Sequence, residues 1–132
     1  MTGRRLIPCG LLIAGLLSGP AAAAPDAIRA HYSADFATCT AHAHAVRPTQ
    51  HCHALEIERQ RATLDDLVKR RMTTLSPREA AGFTAAQADW ERATDTKCTP
   101  PARRRGSLAS QIAQACFLEE TIVRIIALEA RQ

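Results

Sequence analysis

Glycine is nearly missing from the body of this chain: of six in all, only Gly82 and Gly106 lie beyond residue 23. Loops that cradle phosphate need several glycines for close backbone approach, so that chemistry is excluded. Neither a G-x-S-x-G nucleophile elbow nor an H-E-x-x-H metal pair occurs, and the chain reads as a non-enzyme without a cofactor. Aromatic residues make up only 4% of the sequence, and neither β-branched runs nor alternating apolar patterns are present, which argues against a sheet. The one sustained apolar run, Leu6 to Leu17, falls short of the roughly 20 residues a membrane span requires. A large excess of one charge is also missing. Seventeen basic residues, fifteen of them arginine, face thirteen acidic ones, for a formal charge of +4.

What the sequence does have begins at its N-terminus. Arg4 and Arg5 precede the short apolar run, and Ser18, Gly19, Pro20 and the alanines 21 to 24 follow it. Basic start, short apolar centre and small-residue end are the three parts of a secretory signal peptide. Cleavage is expected after Ala23, with Ala21 at the −3 position, giving a signal peptide over 1–23 and one mature domain over 24–132. Cleavage removes Arg4, Arg5 and Cys9 and lowers the charge from +4 to +2, too little to argue for nucleic acid. The expected location is the periplasm or the medium, with no membrane span in the mature form.

Four cysteines then remain, Cys39, Cys52, Cys98 and Cys116. An even count in a small exported chain reads as two disulfides. They fall into two local pairs, and pairing of Cys39 with Cys52 and of Cys98 with Cys116 is expected, although the sequence leaves crossed pairings open. Each loop, once bridged, stabilises by about 3 kcal/mol in the chain-entropy account.

Helical periods dominate the rest. From about Cys52 to Thr74 apolar residues recur at Leu55, Leu64, Leu67, Val68 and Met72, with charges between. Ser76, Pro77 and Glu79 then compose an N-cap, a first-position proline and a capping box. The helix they open runs to about Lys97 and is expected to bury Ala80, Phe83, Ala86, Trp90 and Ala93. Pro100 and Pro101 stop it, and Arg103, Arg104 and Arg105 make a basic loop tip. Ser107 is the expected cap of a last helix reaching about Ala130, with its stripe at Leu108, Ile112, Ala115, Cys116, Ile122, Val123 and Ile126. A short helix over Ala34 to Ala45 completes the expectation: an all-α, disulfide-stapled bundle of three main helices with a short N-terminal helical segment.

Several local patterns are shared with one family. Ala85-Ala86-Gln87-Ala88-Asp89-Trp90 supplies an A-Q-x-x-W core, and Asp95 and Cys98 complete W-x(4)-D-x(2)-C. Gly106-Ser107 occupies the connection to the last helix, and Cys116, Thr121, Arg124 and Leu128 spell C-x(4)-T-x(2)-R-x(3)-L. In these features, and in the placement of Cys39 and Cys52, residues 39 to 128 resemble the LprI-like lysozyme-inhibitor family of small exported bacterial domains. The sequence departs from the family pattern at Ala93, Thr94, Lys69 and Met72. The resemblance implies a binding protein whose partner is a lysozyme or related cell-wall hydrolase.

Three groups of residues are candidates for function or for positioning it. Arg103, Arg104 and Arg105 form the candidate partner contact, since a glycosidase cleft carries two catalytic carboxylates that an arginine can pair with. Trp90, Asp95, Thr121 and Arg124 read as structural, with Asp95 paired to Arg124 across the bundle. His42, His44, His51 and His53 flank the first cysteine pair, and imidazole suits zinc, copper and nickel. The alternative functions are therefore a periplasmic metal-binding module or a structural partner in an envelope complex. Asp65-Asp66 reads as the solvated face of a helix.

Overall fold

The computed structural model describes residues 23–100 and 106–131. The expected signal peptide, apart from its last residue, and the basic tip at 103–105 lie outside these residues. The described residues hold five helices and no strand: α1 (Pro25–His31), α2 (Ala34–His42), α3 (Val46–Met72), α4 (Pro77–Cys98) and α5 (Ser107–Glu129).

The boundaries follow from local chemistry. At the start of α4 the Ser76 hydroxyl accepts from the Glu79 N–H, and the Glu79 carboxylate accepts from the Ser76 N–H at 2.9 Å, the reciprocal capping box the sequence announces. Those bonds from Ser76 hold the Glu79 carboxyl below its ordinary pKa. α3 begins six residues before the expected Cys52, because Pro48 falls in the first turn, where its missing N–H has no helical partner to lose. At 27 residues it is about 40 Å long. Ser107 is the first residue of α5 and not its cap. The cap position belongs to Gly106, whose φ of +125° a side chain would strain. The N-terminal segment forms two short helices where one was expected, with Ser33 capping α2 through the Phe36 N–H.

α3, α4 and α5 run up, down and up, so α3 and α5 are parallel. Gln50 near the start of α3 donates to the Ser107 carbonyl at 2.7 Å, and Leu67 shares a core cluster with Leu128 near the other end. α5 is the hub, packing along α3 and also against α4 and α1, while α2 packs on α3. The core has two parts. Phe36, Cys52, Leu118 and Ile122 form one; Leu64, Leu67, Ile125 and Leu128 form the other, flanked by Val68, Phe83 and Trp90. Each of these buried leucines and isoleucines stabilises by about 1.5–3 kcal/mol.

The inward stripes differ from those expected. On α5 the buried residues are Leu118, Thr121, Ile122, Ile125 and Leu128, whereas Leu108 and Ile112 are more than 60% exposed. At 100° per residue the buried arc lies roughly 120° around the helix from Leu108 and Ile112, because α3, the largest neighbour, sets which side is covered. Leu55 and Met72 are exposed on α3. On α4 the buried residues are Thr94 and Cys98; Phe83 and Trp90 are half-buried, while Ala86 and Ala93 face solvent.

The two disulfides pair Cys39 with Cys52 and Cys98 with Cys116, with Cα atoms 5.7 and 5.5 Å apart. The first ties α2 to α3 and the second ties α4 to α5. No helix among the described residues is long and apolar enough to cross a membrane.

Candidate functional site

α3 presents Cys52, Glu56, Gln60 and Leu64 at four-residue spacing, so all four fall on one face, and all are buried. Two of them are polar, and the fold answers that demand with the N-terminal segment. Glu56 is fully buried. Its carboxylate accepts from the Ser33 N–H at 2.9 Å, the Ser33 hydroxyl at 2.6 Å, Gln60 Nε2 at 2.8 Å and an Arg59 guanidinium N–H at 3.0 Å. Burial pushes this carboxyl up, but the bonds from Ser33, Gln60 and Arg59 outweigh it and hold the group below its ordinary value. Gln60 also donates to the His31 carbonyl, and Arg59 reaches Asp35 at 2.8 Å. The turn between α1 and α2 is thereby clasped to the middle of α3. Sequence reasoning missed this clasp, although the unbroken four-residue spacing from Cys52 to Leu64 is its signal.

On the α4 side the helices leave a cleft. α3 contributes Arg61, Leu64 and Asp65; α4 contributes Gln87, Trp90, Glu91, Thr94 and Asp95; Phe117 and Thr121 of α5 form the floor. Its volume is about 320 Å³. Trp90, Asp95 and Thr121 all line it, and Arg124 stands behind its wall. The Arg124 guanidinium lies over the Trp90 ring, 5.8 Å from the centroid, and its Nε–H donates to Gln87 Oε1 at 2.9 Å. Burial, with a smaller push from Arg131, lowers its pKa from an ordinary value high enough that it stays charged.

The expected Asp95–Arg124 pair does not form. Asp95 is exposed and sits two turns of α4 beyond Gln87, the residue that faces Arg124, a displacement of about 12 Å. Thr121 is buried and its hydroxyl donates to the Phe117 carbonyl at 2.7 Å within its own helix. Thr94, also buried, has no such partner: its Oγ1 makes no hydrogen bond. The ion pair that does cross from α4 to α5 is Lys97–Glu120, at 2.5 Å.

The four histidines are not brought together. His42, His44 and His51 are exposed, with His42 Nδ1 2.8 Å from the Thr38 carbonyl. His53 is half-buried against the Phe36 ring, 5.3 Å between centroids. Among the described residues no three His, Cys, Asp or Glu side chains gather as a metal site requires. The histidine instead held by specific partners is His31, whose Nε2 lies 3.1 Å from Glu129 and whose Nδ1 lies 2.9 Å from the Ala27 carbonyl. Arg103, Arg104 and Arg105 fall outside the described residues.

A family described as lysozyme inhibitor LprI covers residues 39–128 of this chain. No curated protein and no solved structure matches it.

Proposed function

Because the chain belongs to the lysozyme inhibitor LprI family, we propose that it is an exported, non-enzymatic binding protein that inhibits a lysozyme-type cell-wall hydrolase. The observation that carries this reading is the extent of the match, from Cys39 to Leu128, which takes in both disulfides and every residue of the α3–α4 cleft. Two disulfides support an extracytoplasmic location, since such bonds persist in oxidising compartments. The basic n-region, short apolar run and alanine-rich end of residues 1–23 support export through a cleaved signal peptide.

Inhibition requires a rigid surface that covers a substrate cleft. The Cys98–Cys116 bridge closes an 18-residue loop around the 101–105 segment, which lowers the freedom lost when its arginines engage a partner. One of Arg103, Arg104 and Arg105 pairs with a catalytic carboxylate of the hydrolase and so denies it to the glycan. The test is lysis of a cell-wall suspension by a lysozyme with and without the oxidised protein. A dose-dependent fall in lysis is expected. Undiminished lysis at a large molar excess would sink the reading, and an unchanged inhibition by the Arg103→Ala/Arg104→Ala/Arg105→Ala variant would sink the role of the loop.

A further inference from the structure

We propose that the end of the bundle where α3 and α5 begin docks onto an anionic phospholipid surface, with Leu108 and Ile112 entering the headgroup layer. Neither residues 36–55 nor residues 96–118 contain an aspartate or a glutamate, and together these stretches carry Arg47, Lys97, Arg103, Arg104 and Arg105. The remainder of the chain beyond residue 23 carries ten basic residues against all thirteen acidic ones. The fold brings the two acid-free stretches to one end, where Gln50 donates to the Ser107 carbonyl and from which α3 and α5 run in parallel. Lys97 pairs with Glu120, whereas Arg47 is exposed and enters no ion pair among the described residues. A charge split of this kind orients a molecule in an external field even where its net charge is small.

Two further features mark the same end. α3 and α5, of 27 and 23 residues, both start there without a side-chain cap. The free N–H groups of two first turns, and the positive ends of two helix dipoles, are thus turned toward whatever lies beyond. Leu108 and Ile112, one turn apart on α5, are 61% and 63% exposed, more than any other large apolar side chain among the described residues. Neither lines a principal cavity of the described residues. Apolar side chains projecting among cations match the interfacial layer of a membrane, where hydrocarbon lies just beneath phosphate. An acidic protein face would also meet the cations, but it covers Leu108 and Ile112 only if it carries a matching apolar hollow. A fluid bilayer needs no such match. The attachment proposed is peripheral, since no helix among the described residues is long and apolar enough to span. Cys39–Cys52 and the Gln50 bond hold this end in shape, so little freedom is lost on docking.

The test is co-sedimentation of the oxidised protein, expressed from its full-length sequence, with vesicles of phosphatidylcholine alone or mixed equally with phosphatidylglycerol. Saturable binding at least about tenfold tighter to the anionic vesicles, weakening as NaCl is raised from about 0.05 to 0.5 M, is expected. Equal binding to both vesicles, the behaviour of a retained Leu6–Leu17 run, overturns the proposal. Leu108→Ser/Ile112→Ser should lose about tenfold or more in affinity, and Arg47→Gln about fivefold. Two controls act at the far end of the bundle: Arg78→Gln removes an equal charge at the start of α4, and Met72→Ser removes exposed apolar surface at the end of α3. Both should bind as the wild type does. All these positions are exposed, and circular dichroism checks that each variant keeps its helices. If Arg47→Gln and Arg78→Gln weaken binding alike, net charge governs it and the proposal falls. Full binding by Leu108→Ser/Ile112→Ser likewise overturns the entry of these side chains into the headgroup layer. Absence of binding to anionic vesicles overturns the proposal and leaves the acid-free end to an acidic protein partner. The assay contains no hydrolase, so its outcome is independent of whether a lysozyme is inhibited.

Discussion

Removing the Glu56 carboxylate is the most demanding test of how this fold is held together. Glu56→Ala leaves the Ser33 N–H, the Ser33 hydroxyl and the Gln60 amide without their shared acceptor. A buried donor left unpaired costs about 1–3 kcal/mol, and breaking a buried charged cluster typically costs about 3–5 kcal/mol in all. The molecule has one escape: the α1–α2 turn can lift from α3, wetting those donors but also exposing Phe36, whose burial is worth about 2 kcal/mol. The cheaper route sets the loss, which is about 2–4 kcal/mol for Glu56→Ala and about 2 kcal/mol or less for Glu56→Gln, which keeps one acceptor oxygen. Urea unfolding of the oxidised protein, followed by far-ultraviolet circular dichroism and by Trp90 fluorescence, reads the loss as a shifted midpoint. Because the folded Glu56 pKa lies below its ordinary 4.5, its contribution is fully present above about pH 5 and disappears as pH falls through the folded value. The gap between wild type and Glu56→Gln therefore narrows in acid. A Glu56→Ala protein within 1 kcal/mol of wild type at neutral pH would refute the clasp.

Other outcomes are equally specific. His31 is raised above its ordinary 6.5: burial opposes the charged ring, but the Ala27 carbonyl and Glu129 outweigh it. Its stabilisation is therefore present below about pH 6.5 and lost as pH rises through the folded value, so His31→Gln should be more destabilising at about pH 5.5 than at about pH 8.5 by thermal melts. Cys98→Ser/Cys116→Ser should cost about 3 kcal/mol in urea titration, for the 18-residue loop it opens. Thr94→Val, which replaces the orphaned hydroxyl by a methyl, should raise stability by about 1 kcal/mol. Asp95→Asn should leave stability within about 0.5 kcal/mol of wild type, since the residue is exposed and unpaired with Arg124; a loss above about 2 kcal/mol would restore the cross-bundle pair.

Features that depend on a few neighbouring residues were legible in the sequence. The capping box at Ser76–Glu79 is spelled by four consecutive residues, and the disulfide pairing follows the local placement of the cysteines. Features that depend on a distant partner were not. Glu56 sits between Leu55 and Ile57 with Glu58 and Arg59 beyond, a composition that suggests a wet helix face, and only the docking of Ser33 makes it core. Arg124 finds Gln87 instead of Asp95 because the packing of α4 on α5, with Trp90 between them, leaves Asp95 two turns further along, and spacing within either helix does not give that register. The Leu108–Ile112 stripe has a sound helical period but the wrong azimuth, since period alone does not say where α3 will lie. The cleft is the extreme case. Asp65 was legible as a solvated helix residue, yet its proximity to Glu91 and Asp95 exists only once α3 and α4 fold back on each other.

Both disulfides join cysteines that are consecutive among the described residues, and this has a consequence for how the bonds form. In the export route proposed above, where Cys9 leaves with the signal peptide, an oxidase that meets the polypeptide N-terminus first and links thiols in order of arrival makes Cys39–Cys52 and then Cys98–Cys116. Native connectivity is then the default product of vectorial oxidation, and an isomerase that reshuffles wrong pairs has nothing to correct. The two loops share no residue, so reducing one leaves the other closed. With either bridge still closed, reoxidation of the other is a single short-range closure between its own two thiols.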